Sequence, residues 1–272
     1  MSRIASLLFI LLFSLTAMAG GMDSVLMIKA GQTRIPPYAY KDREDIREVR
    51  FEKGSQMKEI GEYAFLGCSN LKKIDLPESL VKIGEGALRE CTSLESLVIP
   101  RGVKALPKAL CAWDSSLRSV VLPAGLEDIG SHAFAYCSSL DGVKIPAGVK
   151  HIGSNVFSRC FSLTEIALPS SIKELESYVF SDCVRLRKAT LPANKNMLGE
   201  YMFSGCVALE ELVELSPVPP TFDCNSTIFE DSETGLYRKC RLIVPAGSES
   251  LYRNAPGWQL FYKDKKAELS RL

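Results

Sequence analysis

The side chains best equipped for chemistry are nine cysteines and two histidines. Cys68, Cys91, Cys137, Cys160, Cys183 and Cys206 fall on one grid with a step of 23 residues, and Asp114 stands at the missing point. A zinc site needs C-x-x-C or a Cys/His cluster, and neither is present. Stacked turns would bring neighbouring grid Cα atoms to ~5 Å, a spacing a disulfide tolerates. Side chains in such a ladder point the same way, however, and each grid position lies three residues after an apolar slot that is usually Phe. The expectation is a ladder of buried, reduced thiols. Cys224 and Cys240 lie off the grid and are the one pair considered for a bridge. His132 and His151 occupy different columns, imply no pair, and read as surface side chains. No G-x-S-x-G, H-E-x-x-H or G-x-x-x-x-G-K-[ST] occurs, so the motifs for acyl transfer, metal-assisted hydrolysis and nucleotide binding are missing. Serines such as Ser115, Ser116, Ser138 and Ser139 sit in turns, where a hydroxyl satisfies local backbone. Carboxylates are scattered over many turns without pairing. No catalytic, cofactor-binding or metal-binding residue is expected, and the chain does not read as an enzyme.

The elements that hold these residues repeat with the same step. Three before the grid come Phe65, Leu88, Cys111, Phe134, Phe157, Phe180 and Phe203; three after it come Leu71, Leu94, Leu117, Leu140, Leu163, Leu186 and Leu209. Pro77 to Pro192 and Ile60 to Leu198 form two further columns. Segments such as LKKIDLP (71–77) and LTEIALP (163–169) alternate, so their apolar residues share one strand face. Proline then ends the strand because it has no ladder donor. A second apolar pair follows, such as Leu80 with Ile83, and then often a glycine (Gly61, Gly84, Gly130, Gly153) that would permit a bend. One unit cannot bury this surface alone; stacked units form a parallel sheet with continuous apolar ladders. The predicted fold is a curved repeat solenoid with parallel strands, one per turn, and irregular or short helical turns opposite.

A degenerate copy (Ile35, Tyr40, Ile46, Val49, Phe51) precedes the seven regular units, and an irregular one (Phe229, Leu242, Val244, Pro245) follows them. The pattern Φ-G-x-x-A-F-x-x-C-x-x-L-x-x-Φ-x-Φ-P, as in IGEYAFLGCSNLKKIDLP (60–77) and IGSHAFAYCSSLDGVKIP (129–146), resembles the BspA-like class of bacterial leucine-rich repeats. The ending VPAGSESLYRNAPGW (244–258) resembles the closing element of such proteins. The resemblance implies an exported or cell-surface solenoid associated with adhesion to host or neighbouring-cell proteins. It is architectural and carries over no catalytic residue.

A docking surface has one informative column. Just before the grid stand Gly67, Glu90, Trp113, Tyr136, Arg159, Asp182 and Gly205, with Phe161 two beyond Arg159. Trp, Tyr and Arg dominate binding hot spots, so Trp113, Tyr136, Arg159 and Phe161 form the candidate interaction patch. For Trp113 there is a competing reading: Cys111 leaves the Phe slot underfilled, and the indole would fold in to fill it. The outward strand positions, from Lys73 and Asp75 to Lys188 and Thr190, are mixed and small and read as a solvated face.

The remaining boundaries come from composition. Residues 1–19 read as a signal peptide: Arg3, the apolar run Leu7–Leu15 and the Ala17-Met18-Ala19 site. A retained anchor helix is the alternative, but the run is shorter than the ~20 residues a span needs. Residues 20–59 are assigned to an N-terminal cap and degenerate repeat, 60–215 to the regular repeats, 216–262 to the last repeat and C-terminal cap, and 263–272 to a charged tail. In the cap Ser248 would begin a short helix, Ala255-Pro256-Gly257 would stop it, and Trp258 and Phe261 would cover the open end. Net charge is +1, which argues against a nucleic-acid partner. The expectation is a monomer, secreted, periplasmic or on the cell surface, with no transmembrane segment and no cofactor. It would bind an extracellular or host protein; a glycan-binding module and a structural spacer are the alternatives.

Overall fold

A computed structural model of the chain describes residues 24–193, 198–221, 228 and 236–262. The proposed signal peptide, Cys224, Phe229 and the charged tail lie outside them. The chain forms a parallel β-solenoid in which each strand pairs with its equivalent one turn away. The alternating L-x-x-Φ-x-Φ segments make the first ladder. Its members include Glu48–Phe51, Lys73–Ile74, Ser96–Val98, Ser119–Val121, Glu165–Ala167, Lys188–Leu191 and Glu211–Glu214. Register follows the repeat, as in Leu97 opposite Val120 and Ile166 opposite Ala189.

The structure adds a second short strand to the turns from Arg34 to Leu175. The second apolar pair carries it, giving a ladder of Arg34–Ile35, Glu59–Ile60 and Lys82–Ile83, then Ala105–Leu106, Asp128–Ile129, His151–Ile152 and Glu174–Leu175. Among the described residues, helix occurs only after the regular repeats, at Leu236–Lys239 before the last strand and in the C-terminal cap. The repeat glycines do not serve a bend. A Cβ on Gly84 would lie 2.4 Å from the Glu62 nitrogen, and one on Gly130 2.7 Å from that of Lys108. They are small because adjacent turns touch backbone to backbone there.

The core is a set of ladders along the axis. Phe134, Phe157, Phe180 and Phe203 stack at 5.6–5.7 Å between ring centroids, and Tyr40 stacks on Phe65 at 5.2 Å. Each grid thiol is buried and reaches the carbonyl of the Phe-slot residue one turn back. Cys160 meets Phe134 at 3.3 Å and Cys206 meets Phe180 at 3.0 Å. Burial pushes the Cys160 and Cys206 thiols well above their usual range, which makes those two poor nucleophiles. Cys68, Cys91, Cys111, Cys137, Cys160, Cys183 and Cys206 are free of disulfides.

The first copy begins one strand earlier than the sequence indicates. Val25–Ile28 pairs with Glu48–Phe51 and extends the first ladder. At the other end Arg241–Ile243 pairs with Glu211–Glu214, with Leu242 opposite Leu212. The cap helix Glu249–Asn254 forms, and Ser248 precedes it, but its side chain makes no capping bond. Trp258 and Phe261 are buried over the last turn. Trp258 Nε1 donates to the Pro220 carbonyl at 2.9 Å, and Tyr252 Oη donates to that of Ser216 at 2.8 Å.

Candidate functional site

The outer turn opposite the first ladder is built from two columns in the left-handed backbone region. One runs Tyr38, Tyr63, Gly86, Ala109, His132, Asn155, Tyr178, Tyr201; the other runs Asp42, Gly67, Glu90, Trp113, Tyr136, Arg159, Asp182, Gly205. Left-handed geometry is rare outside Gly and Asn. It is imposed here by backbone bonding. Amides in both columns donate to carbonyls of the following turn, as from Trp113 to Ala135, Tyr136 to Ser158 and Arg159 to Ser181, each at 2.8 Å. The conformation recurs at every turn whatever the side chain, so it belongs to the architecture rather than to one site.

That geometry decides the case of Trp113. It is 44% exposed and does not fold inward to replace the missing Phe. Cys111 is itself buried in the core. The indole stacks on Tyr136 with centroids 3.6 Å apart and planes 12° from parallel. The Arg159 guanidinium lies 5.0 Å from the Tyr136 ring centroid on the next turn, and its Nε donates to Asp182 at 3.0 Å. Trp113, Tyr136 and Arg159 therefore form one continuous outward row. Phe161 is exposed but belongs to another column, one residue past buried Cys160, followed at the same step by exposed Val184 and Val207. Earlier in that column Thr92, Ser115 and Ser138 donate hydroxyls to carbonyls one turn back, at 3.2–3.5 Å. These bonds cross between turns and are not the local ones expected.

A cleft of about 300 Å³ opens between the two left-handed columns. Tyr136, Arg159 and Asp182 line one side, and His132, Asn155 and Tyr178 the other. Buried Ser158 and Ser181 lie between, their hydroxyls 2.8 Å apart. The sequence reading passed over the His132–Tyr178 column, although Tyr63, Tyr178 and Tyr201 obey the same step.

The histidines are not solvated surface groups. His151 bridges Asp128 and Glu176 through both ring nitrogens, at 2.9 and 3.0 Å. His132 is half-buried, and its Nδ1 is buried without a hydrogen-bond partner. Among the described residues no group of three or more His, Cys, Asp or Glu side chains is placed to hold a metal ion.

Asp114 is the other polar group inside the stack. It is fully buried; one carboxyl oxygen accepts the Cys91 amide at 2.8 Å and the other has no partner. Burial raises its carboxyl well above the usual range, which favours the protonated form in the folded state. Such a group contributes fully at pH below the ordinary carboxylate value and loses that contribution as pH rises. Asp114→Cys would restore the column, with the thiol facing the Leu88 carbonyl as Cys137 faces that of Cys111. Removing one orphaned polar atom should raise stability by ~1–3 kcal/mol. In denaturant titrations the gain should widen from pH 4 to neutrality, and a variant no more stable than the parent at pH 7 would show that Asp114 is accommodated without cost.

The sequence model of the BspA type Leucine rich repeat region matches residues 33–110 and 104–232, in six copies. No curated protein matches the chain. Among solved structures, a leucine rich cell surface protein of Faecalibacterium prausnitzii A2-165 is 21% identical. That alignment covers 82% of this chain and 73% of that one, with a TM-score of 0.50. A leucine-rich repeat protein of Bacteroides ovatus is 24% identical over 74% of this chain and 65% of that one, with a TM-score of 0.49. A leucine-rich repeat protein of T. pallidum is 28% identical over 73% and 78%, with a TM-score of 0.46.

Proposed function

This chain belongs to the BspA-type leucine-rich-repeat family, and from that premise we propose that it is an exported, non-enzymatic scaffold that binds an extracellular protein. The family supports a protein-interaction repeat scaffold. The observation that carries the reading is the exposed row Trp113–Tyr136–Arg159, rings stacked and guanidinium alongside. Such a row offers rigid apolar area and a forked donor at low conformational cost. Phe161 extends the patch from the neighbouring column. Export rests on the pattern of residues 1–19. The F. prausnitzii protein is a cell surface protein, and a similar address is part of the proposal. No helix among the described residues is long and apolar enough to cross a membrane.

Pull-down from extracellular material with the secreted chain, followed by titration of the captured protein, tests the reading. Trp113→Ala, Tyr136→Ala and Arg159→Ala should each weaken binding by ~1–3 kcal/mol. Because these side chains lie outside the core, thermal midpoints should fall by no more than about 4 °C. Parental affinity in all three variants would remove the row from the interface.

A further inference from the structure

The cleft beside the row has a chemistry that the row lacks. It lies between two outward columns, so it is open along one side, yet its floor is hydroxyl rather than apolar: Ser158 and Ser181 are buried and hydrogen-bonded to each other. An ion pair stands in it, Arg159 with Asp182 at 3.0 Å. The guanidinium commits Nε to that pair, and its terminal nitrogens carry four further N–H donors. Asn155 adds an amide with both donor and acceptor. Tyr178, 38% exposed and stacked on Tyr201 at 5.2 Å, supplies an aromatic surface. His132 lines the same cleft and brings a buried ring nitrogen without a hydrogen-bond partner.

We propose that this cleft binds a neutral saccharide, one sugar ring against Tyr178 and its hydroxyls on Asn155, Arg159 and Asp182. Each hydroxyl of a sugar both donates and accepts. A vicinal pair can accept from a guanidinium N–H and donate to a carboxylate oxygen, so it uses both halves of the ion pair. An anionic ligand would gain from Arg159 but meet Asp182 beside it, and a cation would face the reverse. The apolar face of a sugar ring suits a tyrosine ring. At about 300 Å³ the cleft is at the small end of ligand sites, which begin near ~300 Å³, and fits a single residue of a glycan. Binding to so open a site should be weak, with a Kd of order 1 mM for a monosaccharide. The site goes beyond the protein-binding reading and draws on a column that reading does not use.

The test is titration of neutral, sialylated and uronic-acid saccharides into the isotope-labelled intact chain, carried to several times the expected Kd. A neutral saccharide should saturate and should shift the amides of Asn155, Arg159 and Asp182. Asn155→Ala and Tyr178→Ala should each weaken binding at least tenfold, whereas Trp113→Ala should leave the sugar affinity within twofold. The shift map on the parent protein keeps the test decisive if a variant does not fold. No saturable shift with any neutral saccharide, shifts with acidic saccharides only, shifts centred on Trp113, or binding that survives both cleft variants would each overturn the proposal. None of these outcomes bears on the protein partner, which is read through Trp113→Ala.

Discussion

Trp258→Ala is expected to destabilise the protein by about 3–5 kcal/mol, the usual cost of emptying a fully buried aromatic site. Trp258 is completely buried, packs edge-on against Tyr252 at 5.2 Å and lies 6.1 Å from Phe261. Its Nε1 bond to Pro220 ties the cap to the chain leaving the last regular strand. In a solenoid each turn contacts only its neighbours, so an uncovered end exposes the apolar ladders directly. The loss should therefore be uneven. Hydrogen exchange should accelerate first in Arg241–Ile243 and Glu211–Glu214, with the turns around Phe65 the last to respond. Trp258→Phe keeps most of the cover but loses the bond to Pro220, and should cost ~1–2 kcal/mol. If Trp258→Ala unfolds within 1 kcal/mol of the parent, measured by denaturant titration, the cap does not seal the stack.

Glu214→Leu should act in the opposite direction. Glu214 is fully buried at the position that Leu76, Ile99, Leu122, Ile145, Leu168 and Leu191 fill in earlier turns. One carboxyl oxygen accepts the Ser216 amide at 2.9 Å; the other has no partner. Burial pushes its pKa up to about 8, so the carboxyl is neutral in the fold at pH 7 and ionised in the unfolded chain. Its contribution is full below pH ~4.5 and is lost as pH rises through about 8. Each pH unit in that window costs about 1.4 kcal/mol, or about 3 kcal/mol by pH 7. Glu214→Leu should recover roughly that amount at neutral pH and little at pH 4. Parallel stability–pH curves for parent and variant would show that Glu214 is ionised in the fold.

The parts of the fold legible in the sequence were those where side-chain type and step agree. The Phe, Cys, Leu and Pro columns each keep one role per turn, and burial of Phe134, Cys137 and Leu140 follows from that. The second ladder was visible only as an apolar pair. Strands of two residues, such as Lys82–Ile83, are too short to show alternation. Trp113 was harder, because a volume argument pointed inward while backbone geometry points outward. The clue lay in its own column, where Gly67 and Gly205 mark a position that demands positive φ. Gly86 and Asn155 mark the other column in the same way. Asp114 was visible as the break in the Cys column, whereas Glu214, which stands where earlier turns carry Leu or Ile, was passed over; the burial and orphaned oxygens of both depend on their folded surroundings. The cleft was not legible at all, since it arises between two columns that are four residues apart in every turn.

The two left-handed columns separate what folds the molecule from what it displays. Amide-to-carbonyl bonds between turns set their backbone, so Gly, Ala, His, Asn, Tyr, Trp, Arg and Asp all occupy them in this one chain. Whatever strain a substituted residue carries there is carried by its neighbours up and down the stack as well. Exchanging one displayed side chain for another alters recognition far more than folding, provided the Phe and Cys ladders beneath are left alone. Descendants of such a chain can drift in specificity by single substitutions without passing through an unfolded intermediate sequence. An engineer could likewise transplant a short binding motif onto consecutive turns, spaced by about one strand separation, ~4.8 Å, with the scaffold already paying the entropic price of holding it still.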